Sequence, residues 1–132
     1  MAGATLFEKI WNDHVIKERD DGQTLLYVDR MLFHDLHYRR FDALRAAGKT
    51  VRRPDLIFAT PDHSMPTTVT SIEQIEDEEM RTTVAGLEKN AIEFGVTHFP
   101  ISDERHGIVH VVGPEQGITL PGIVHVCGDS HT

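Results

Sequence analysis

Short apolar runs alternate along this chain with segments of helical periodicity, and this alternation restricts the fold more than any other feature. Residues 56–60 (LIFAT) are almost all apolar, which is typical of a strand covered on both faces in a parallel sheet. Strands separated by helices form βαβ units, so the sequence predicts an α/β fold, a three-layer, mostly parallel sheet with flanking helices. The first strand is expected to end near Asp29 and Arg30. The predicted strands are residues 25–28, 56–60, 107–112 and 122–127, and the longer helices are residues 38–47 and 77–94.

An additional short helix is predicted near the start of the chain. Thr5 and Glu8 have the spacing of a capping box, in which each side chain satisfies a free backbone amide at a helix start. The helix that follows is expected to bury Phe7, Ile10 and Trp11. In the longest helix, four apolar residues form one stripe and are expected to pack in the core: Met80, Val84, Leu87 and Ala91.

The charge balance argues against one large class of function. The chain has 13 basic and 21 acidic residues, a net charge of −8, whereas proteins that track nucleic-acid phosphates need clustered Lys and Arg. No apolar run approaches the roughly 18 residues of a membrane span. Cys127 is the single cysteine and cannot form an internal disulfide, and the first residues do not resemble a signal peptide. We therefore expect a reducing, cytoplasmic location.

Polar clusters follow two of the predicted strands. Asp62 and His63 come after residues 56–60, and an Asp-Ser-His segment, residues 129–131, comes after residues 122–127. Ligands of open α/β sheets bind beyond the carboxyl ends of the strands. A carboxylate bonded to one imidazole nitrogen orients the ring and raises the basicity of the other nitrogen. These clusters therefore indicate proton transfer, and Gly128 would let the backbone approach closely there.

The residues alone leave other interpretations open. His110 and His125 lie in apolar runs, where a structural role is the simpler explanation. His63, His110 and His131 with one carboxylate would have the composition of a catalytic zinc centre, although their spacing matches no local metal motif. A hydrolase triad around Ser130 is disfavoured, because neighbouring residues of an extended segment point to opposite sides.

Four segments together resemble a known family. The segments are LLYVDRMLFHD, FATPDHSMPT, GIVHVVGPEQGITLPG and VCGDSHT, and they occur in the family's order over essentially the whole chain. The chain resembles the N-terminal part of the aconitase superfamily, most closely the large subunits of bacterial 3-isopropylmalate dehydratases. This resemblance implies that residues 1–132 form a single, incomplete aconitase-type N-terminal α/β domain.

The resemblance also implies an activity and a cofactor. The complete enzyme would be a hydro-lyase that removes water from 2-isopropylmalate and adds it back to give 3-isopropylmalate, a step of leucine biosynthesis. It would use a [4Fe-4S] cluster, one iron of which acts as a Lewis acid on the substrate. Related enzymes that act on citraconate and methylmalate, dimethylmaleate or homoaconitate are the alternatives within the family.

Individual residues take their expected roles from the same resemblance. His63 matches the proton donor that assists departure of the hydroxyl, and Asp62 matches its orienting partner. His110 matches a second histidine, which is paired with Asp129. A third histidine and two substrate-contacting residues complete the expected set: His131, Ser130 and His34.

The chain also departs from the family pattern. Family members are several times longer, and the three cysteines that hold the cluster are absent from these residues. We therefore expect no cluster on this chain alone and no turnover by it. The expected partners are the small subunit, the remainder of the large subunit and the isopropylmalate substrate, with no nucleic acid or membrane. A binding or assembly module that keeps the fold, and a mononuclear metal hydrolase, remain as alternatives.

Overall fold

The computed structural model describes residues 3–130. These residues form four α-helices and six strands, joined by short 3-10 turns at Asp35–His37, Pro54–Leu56 and Ile72–Gln74. In chain order the elements are α1 (Leu6–His14), β1 (Val15–Glu18), β2 (Thr24–Leu26), β3 (Arg30–Phe33), α2 (Arg40–Ala46), β4 (Ile57–Ala59), α3 (Glu78–Phe94), β5 (Thr97–His98), α4 (Val109–Glu115) and β6 (His125–Cys127). Within the described part, no helix has the length and apolar character to cross a membrane.

Four strands form one sheet in the order β5-β4-β3-β6, and every neighbouring pair is parallel. Leu32 of β3 lies opposite Phe58 of β4 on one side and Cys127 of β6 on the other. Parallel strands need crossover connections, and each crossover here contains a helix. β1 and β2 form a separate antiparallel hairpin. The predicted α/β fold is confirmed.

Helices cover the sheet on both faces, which makes three layers. Phe33 packs with Phe41 of α2 and Leu87 of α3 on one face. Leu32, the preceding residue of β3, packs with Val109 of α4 on the other face. This separation follows from the strand geometry, in which successive side chains point to opposite faces. The central strand thus joins the two cores and holds the helices in place.

Residues 107–112, predicted as a strand, are in large part helical. The backbone N–H of Val109 donates to Asp62 Oδ2 at 2.7 Å, and the N–H groups of Val111 and Val112 donate to the carbonyl of Ile108. The β-branched residues favour a strand only where a neighbouring strand is available to pair with them. The Asp62 carboxylate instead satisfies an amide at the start of α4, so the prediction was wrong because of a contact distant in sequence.

The predicted strand at residues 25–28 is also misplaced. The chain forms β2 in the hairpin, and the central strand β3 begins at Arg30, where the prediction placed an end. Asp29 separates the two strands, since its carboxylate accepts the N–H of Val124 and contacts His14 Nε2. The apolar residues on either side of Asp29 therefore belong to two different sheets.

The predicted core of α1 is wrong, although the capping box of Thr5 is present. Phe7 is 68% exposed, and it stacks on half-buried Trp11. Ile10 is half-buried, and His14 is the buried residue of this helix. α1 leads into the β1–β2 hairpin, whereas the sheet is covered by the later helices.

The predicted helix at residues 77–94 is confirmed as α3, which is capped by Asp77 and ends at Gly95. Three members of its apolar stripe are buried, Val84, Leu87 and Ala91. Met80 is 40% exposed, so its assignment to the core was wrong. It lies in the first turn of the helix, before the segment that packs on the sheet.

Candidate active site at the carboxyl ends of the strands

Acidic residues and histidines follow three neighbouring strands of the parallel sheet. His34 and Asp35 come after β3, Asp62 and His63 come after β4, and Asp129 comes after β6. Because these strands run parallel, their carboxyl ends meet at one edge, where ligands of such sheets bind. The start of α4 brings a further histidine, His110, to the same edge.

Asp62 and His63 form an oriented pair. Asp62 Oδ1 is in short contact with His63 Nδ1, and Asp62 Oδ2 accepts the N–H of Val109 at 2.7 Å. The Asp62 side chain is 4% exposed and the His63 side chain 33% exposed, so the carboxylate is covered while the imidazole is accessible. Burial lowers the pKa of His63, but the carboxylates of Asp62, Asp35 and Asp129 together raise it above its usual value. This ring is suited to carry and release a proton.

Asp129 connects this pair to a second histidine. His110 Nε2 lies 2.7 Å from Asp129 Oδ2, and His63 Nε2 lies 3.5 Å from Asp129 Oδ1. The backbone N–H of Ser130 lowers the pKa of Asp129 most; burial opposes this, and His110 and His63 help to bring the pKa to about 2. The carboxylate is therefore charged at neutral pH and lies between two imidazoles.

Asp35 fixes the loop that carries Asp62 and His63, and it was not among the site residues predicted from the sequence. Its Oδ1 accepts the N–H groups of Asp62 (2.9 Å) and His63 (3.1 Å), and its Oδ2 accepts that of Ser64 (2.7 Å). Burial acts to raise the pKa of this fully buried carboxyl, but these N–H donors lower it overall. The available signal was its place directly after a strand, like Asp62 and Asp129.

His34, an expected substrate contact, lies beneath the oriented pair. It is 1% exposed, its ring stacks on that of His63 at 4.3 Å, and the His37 ring is 4.5 Å away. Neither His34 nitrogen has a hydrogen-bond partner among residues 3–130. Burial, followed by the charges of His63 and His37, lowers the pKa of His34. This shift favours the neutral ring, which packs against the ring of His63.

His37 was also missed, and it explains the glycine before Asp129. A Cβ on Gly128 would lie 2.8 Å from the His37 ring, so no side chain fits there without a shift. The close backbone approach expected at Gly128 is present. Its backbone is outside the left-handed region, so space rather than turn geometry requires this glycine.

The structure thus brings together four of the expected catalytic residues, Asp62, His63, His110 and Asp129. Ser130 is exposed at the same edge, with its hydroxyl 3.4 Å from Asp129 Oδ1. His131 lies outside the described residues. The catalytic and substrate-binding roles of all these residues remain predictions.

A mononuclear metal centre is poorly supported by the donor geometry. In the described part of the chain, the one set with three or more ligand atoms close together is His34, Asp35, Asp62 and His63, within 4.8 Å of one another. Both Asp35 oxygens already accept backbone N–H groups. The Asp62 carboxylate is likewise occupied, since it contacts His63 Nδ1 and accepts the N–H of Val109.

The residues present also do not fit a [4Fe-4S] cluster as its ligands. Such clusters are held by cysteine thiolates, and the sequence has one cysteine, Cys127. It lies within β6, opposite Leu32 and half-buried, before the turn that carries Asp129. The side chains that this chain places at the edge are carboxylates and imidazoles, which are groups able to exchange protons.

Comparison with known protein families agrees with this geometry. The family model described as Aconitase family (aconitate hydratase) matches residues 8–132, a range that includes all three polar strand ends. Members of this family are iron–sulfur hydro-lyases. Because the match covers nearly the whole sequence, the chain belongs to the aconitase family.

Proposed function

We propose that this chain supplies the acid–base groups of a hydro-lyase that interconverts 2-isopropylmalate and 3-isopropylmalate, as part of its large subunit. The observation that carries this proposal is the continuous series Asp62–His63–Asp129–His110 at one edge of a parallel sheet. Two imidazoles that share one charged carboxylate suit the loss and return of water, in which a proton must be given and taken back.

In the proposed reaction, His63 acts as the general acid. Asp62 holds its Nδ1, and the neighbouring carboxylates raise the pKa of the ring, which favours its protonated form. As the C–O bond of the substrate breaks, this proton passes to the departing hydroxyl, which leaves as water, and the imidazole becomes neutral. In the reverse direction the neutral ring takes a proton from water as the C–O bond forms. The group that removes the C–H proton is assigned, by resemblance, to the small subunit or a later region.

A cavity beside the pair supports a substrate with an apolar branch. It has a volume of about 260 Å³, and Asp62 is part of its lining. Apolar surface in the same lining comes from Met65, Val69 and Ile108. It therefore lies next to Asp62, the residue proposed to orient the proton donor. Branched malates combine a hydroxy acid with such an apolar substituent. The choice among the related substrates rests on this cavity and on the motif resemblance.

Complementation tests the proposal. The chain would be combined with the remainder of a bacterial dehydratase large subunit and its small subunit, and the ultraviolet absorbance of the unsaturated intermediate would be followed with isopropylmalate, citraconate, dimethylmaleate and homoaconitate. We expect His63→Gln to lower kcat by about 10²–10⁴-fold. His125→Gln is the matched control and should retain activity.

Three results would contradict the proposal. These are an inactive wild-type assembly, a preference for one of the other substrates, and full activity of His63→Gln. The chain alone is expected to develop no cluster absorbance after iron–sulfur reconstitution, because it has one cysteine.

A further inference from the structure

Two adjoining cavities lie along the sheet, the smaller one against α2, away from the strand ends that carry Asp62 and His63. One cavity of about 450 Å³ and another of about 240 Å³ share three lining residues, Met31, Val51 and Ile57. Phe41 and Leu44 extend the apolar floor on the α2 side. The two cavities together form an elongated surface with an apolar floor and with Tyr27, Asp29 and Arg30 also in the lining of the larger one, and it is called the α2 groove below.

The α2 groove is lined by the two arginines that lack an acceptor. Among residues 3–130, each of the other arginines donates to a carboxylate, a carbonyl, an amide or a hydroxyl oxygen. No hydrogen bond or ion pair to a described residue is made by Arg40 or Arg52. Arg53 also lines the groove, but Asp55 neutralises it at 2.6 Å.

The positive charge of Arg40 acts on a neighbouring side chain, that of His37. After burial, it is the next largest influence that lowers the pKa of His37. In a chain of net charge −8, carboxylates are plentiful, and yet none lies on these two guanidinium groups within the described structure. Two exposed arginines without an acceptor among residues 3–130 therefore border the apolar floor of the groove, while the one carboxylate in its lining, Asp29, already contacts His14 and Val124.

We propose that the α2 groove is a docking site for an acidic, amphipathic polypeptide segment. Apolar side chains of the segment would cover Met31, Val51 and Leu44, and its carboxylates would pair with Arg40 and Arg52. Helices with apolar anchors at regular spacing bind grooves of this kind. A nucleic acid fits less well, because the acidic balance of the whole chain repels a polyanion. This site is separate from the proposed reaction and does not depend on it.

Fluorescence anisotropy with a designed peptide tests the docking site on the 132-residue chain. The probe is a labelled peptide of about 15 residues, long enough to form a helix, with Leu on one face and Glu beside it. We expect Arg40→Gln and Arg52→Gln each to weaken binding by about threefold, and the double variant by about tenfold, as for partly exposed ion pairs. Arg53→Gln is the matched control, since it removes the same charge from an already paired arginine, and it should weaken binding by less than about twofold.

The urea unfolding midpoint of each variant shows that the fold is kept. Two further peptides separate the contributions: replacing Glu by Gln should weaken binding as the double variant does, and replacing Leu by Ser should abolish it. The proposal is overturned if the wild-type chain does not bind the peptide saturably, or if Arg53→Gln weakens binding as much as Arg52→Gln. Competition by a short duplex DNA at the same arginines would likewise overturn it.

Discussion

Two segments of this protein share the spelling G-I-V-H-V but fold differently. Residues 107–111 lead into the helix α4, whereas residues 122–126 lead into the strand β6. In both segments the N–H of the valine before the histidine donates to a buried or half-buried aspartate: Val109 to Asp62 at 2.7 Å, and Val124 to Asp29 at 2.8 Å. Local sequence, and even the first hydrogen bond, are therefore the same in the two segments.

The difference arises from what lies next to each segment. In the second, His125 is opposite Arg30, so the chain continues as a strand along β3. In the first, the following amides turn back to the carbonyl of Ile108 and a helix begins. The consequence for chemistry is large, since His110 reaches Asp129 in the site while His125 lies within the sheet. Identical short sequences can thus have unrelated roles when tertiary partners differ.

The largest expected effect is a difference in kcat between variants of the two histidines, His110 and His125. In the reconstituted hydro-lyase, His110→Gln should lower kcat by about 10²–10⁴-fold, because the second imidazole on Asp129 is lost. His125→Gln should change kcat by less than about twofold, as for a substitution away from reacting groups. Steady-state rates of both variants measure this contrast. Equal rates would remove the functional difference between the segments.

The second prediction concerns the aspartates that hold the two segments. Asp62→Ala should destabilise the chain by about 1–3 kcal/mol, since a buried amide loses its acceptor. Amide exchange should then accelerate throughout α4. Asp29→Ala should leave the exchange of His125–Cys127 slow, because pairing with β3 holds those residues. Hydrogen exchange with urea unfolding measures both, and faster exchange in β6 than in α4 for Asp62→Ala would contradict the explanation.

A third prediction concerns the stability of the chain at acid pH, where Asp129, the contact of His110 on the second segment's side, becomes protonated. The pKa of this carboxyl is lowered from 3.8 to about 2 in the fold, by the Ser130 N–H first and then by His110. Its contribution to stability is present above pH 3.8 and is lost as the pH falls through about 2. Wild type should therefore lose stability more steeply over this range than Asp129→Asn. If the urea midpoints of the two proteins fell equally as the pH is lowered, the Asp129 carboxylate would make no such contribution to stability.

The smallest expected effect concerns the glycines that begin the segments. Gly122 has a φ of +81°, so Gly122→Ala should cost about 1 kcal/mol through backbone strain. Gly107 is outside that region, and an added Cβ would be 3.5 Å from Val112, an ordinary contact. Gly107→Ala should be neutral or stabilise by up to about 1 kcal/mol, through a less flexible unfolded chain. Thermal or urea unfolding distinguishes the two, and the reverse order would contradict the geometry.

These contrasts show which parts of the fold the sequence could predict. β4 and α3 were predictable because a buried run and a capped, periodic helix are local signals. β3 and α4 were not, since the distant partners of Asp29, His14 and Val124, fix the chain just before β3, and Asp62 acts on α4 from a distant position. The same distinction holds in the site: the Asp62–His63 pair is visible as neighbours in sequence, whereas the supporting role of Asp35 depends on three amides some 30 positions away.

The carboxylate of Asp35 has a consequence for protein engineering. By accepting hydrogen bonds from the N–H groups of three successive residues, Asp62, His63 and Ser64, it fixes the loop that carries the proposed proton donor. Grafting the Asp-His dipeptide onto another scaffold would therefore transfer the reactive groups without their support. A successful graft would also have to include the end of β3, so that the buried Asp35 carboxylate can accept the N–H groups of the grafted loop.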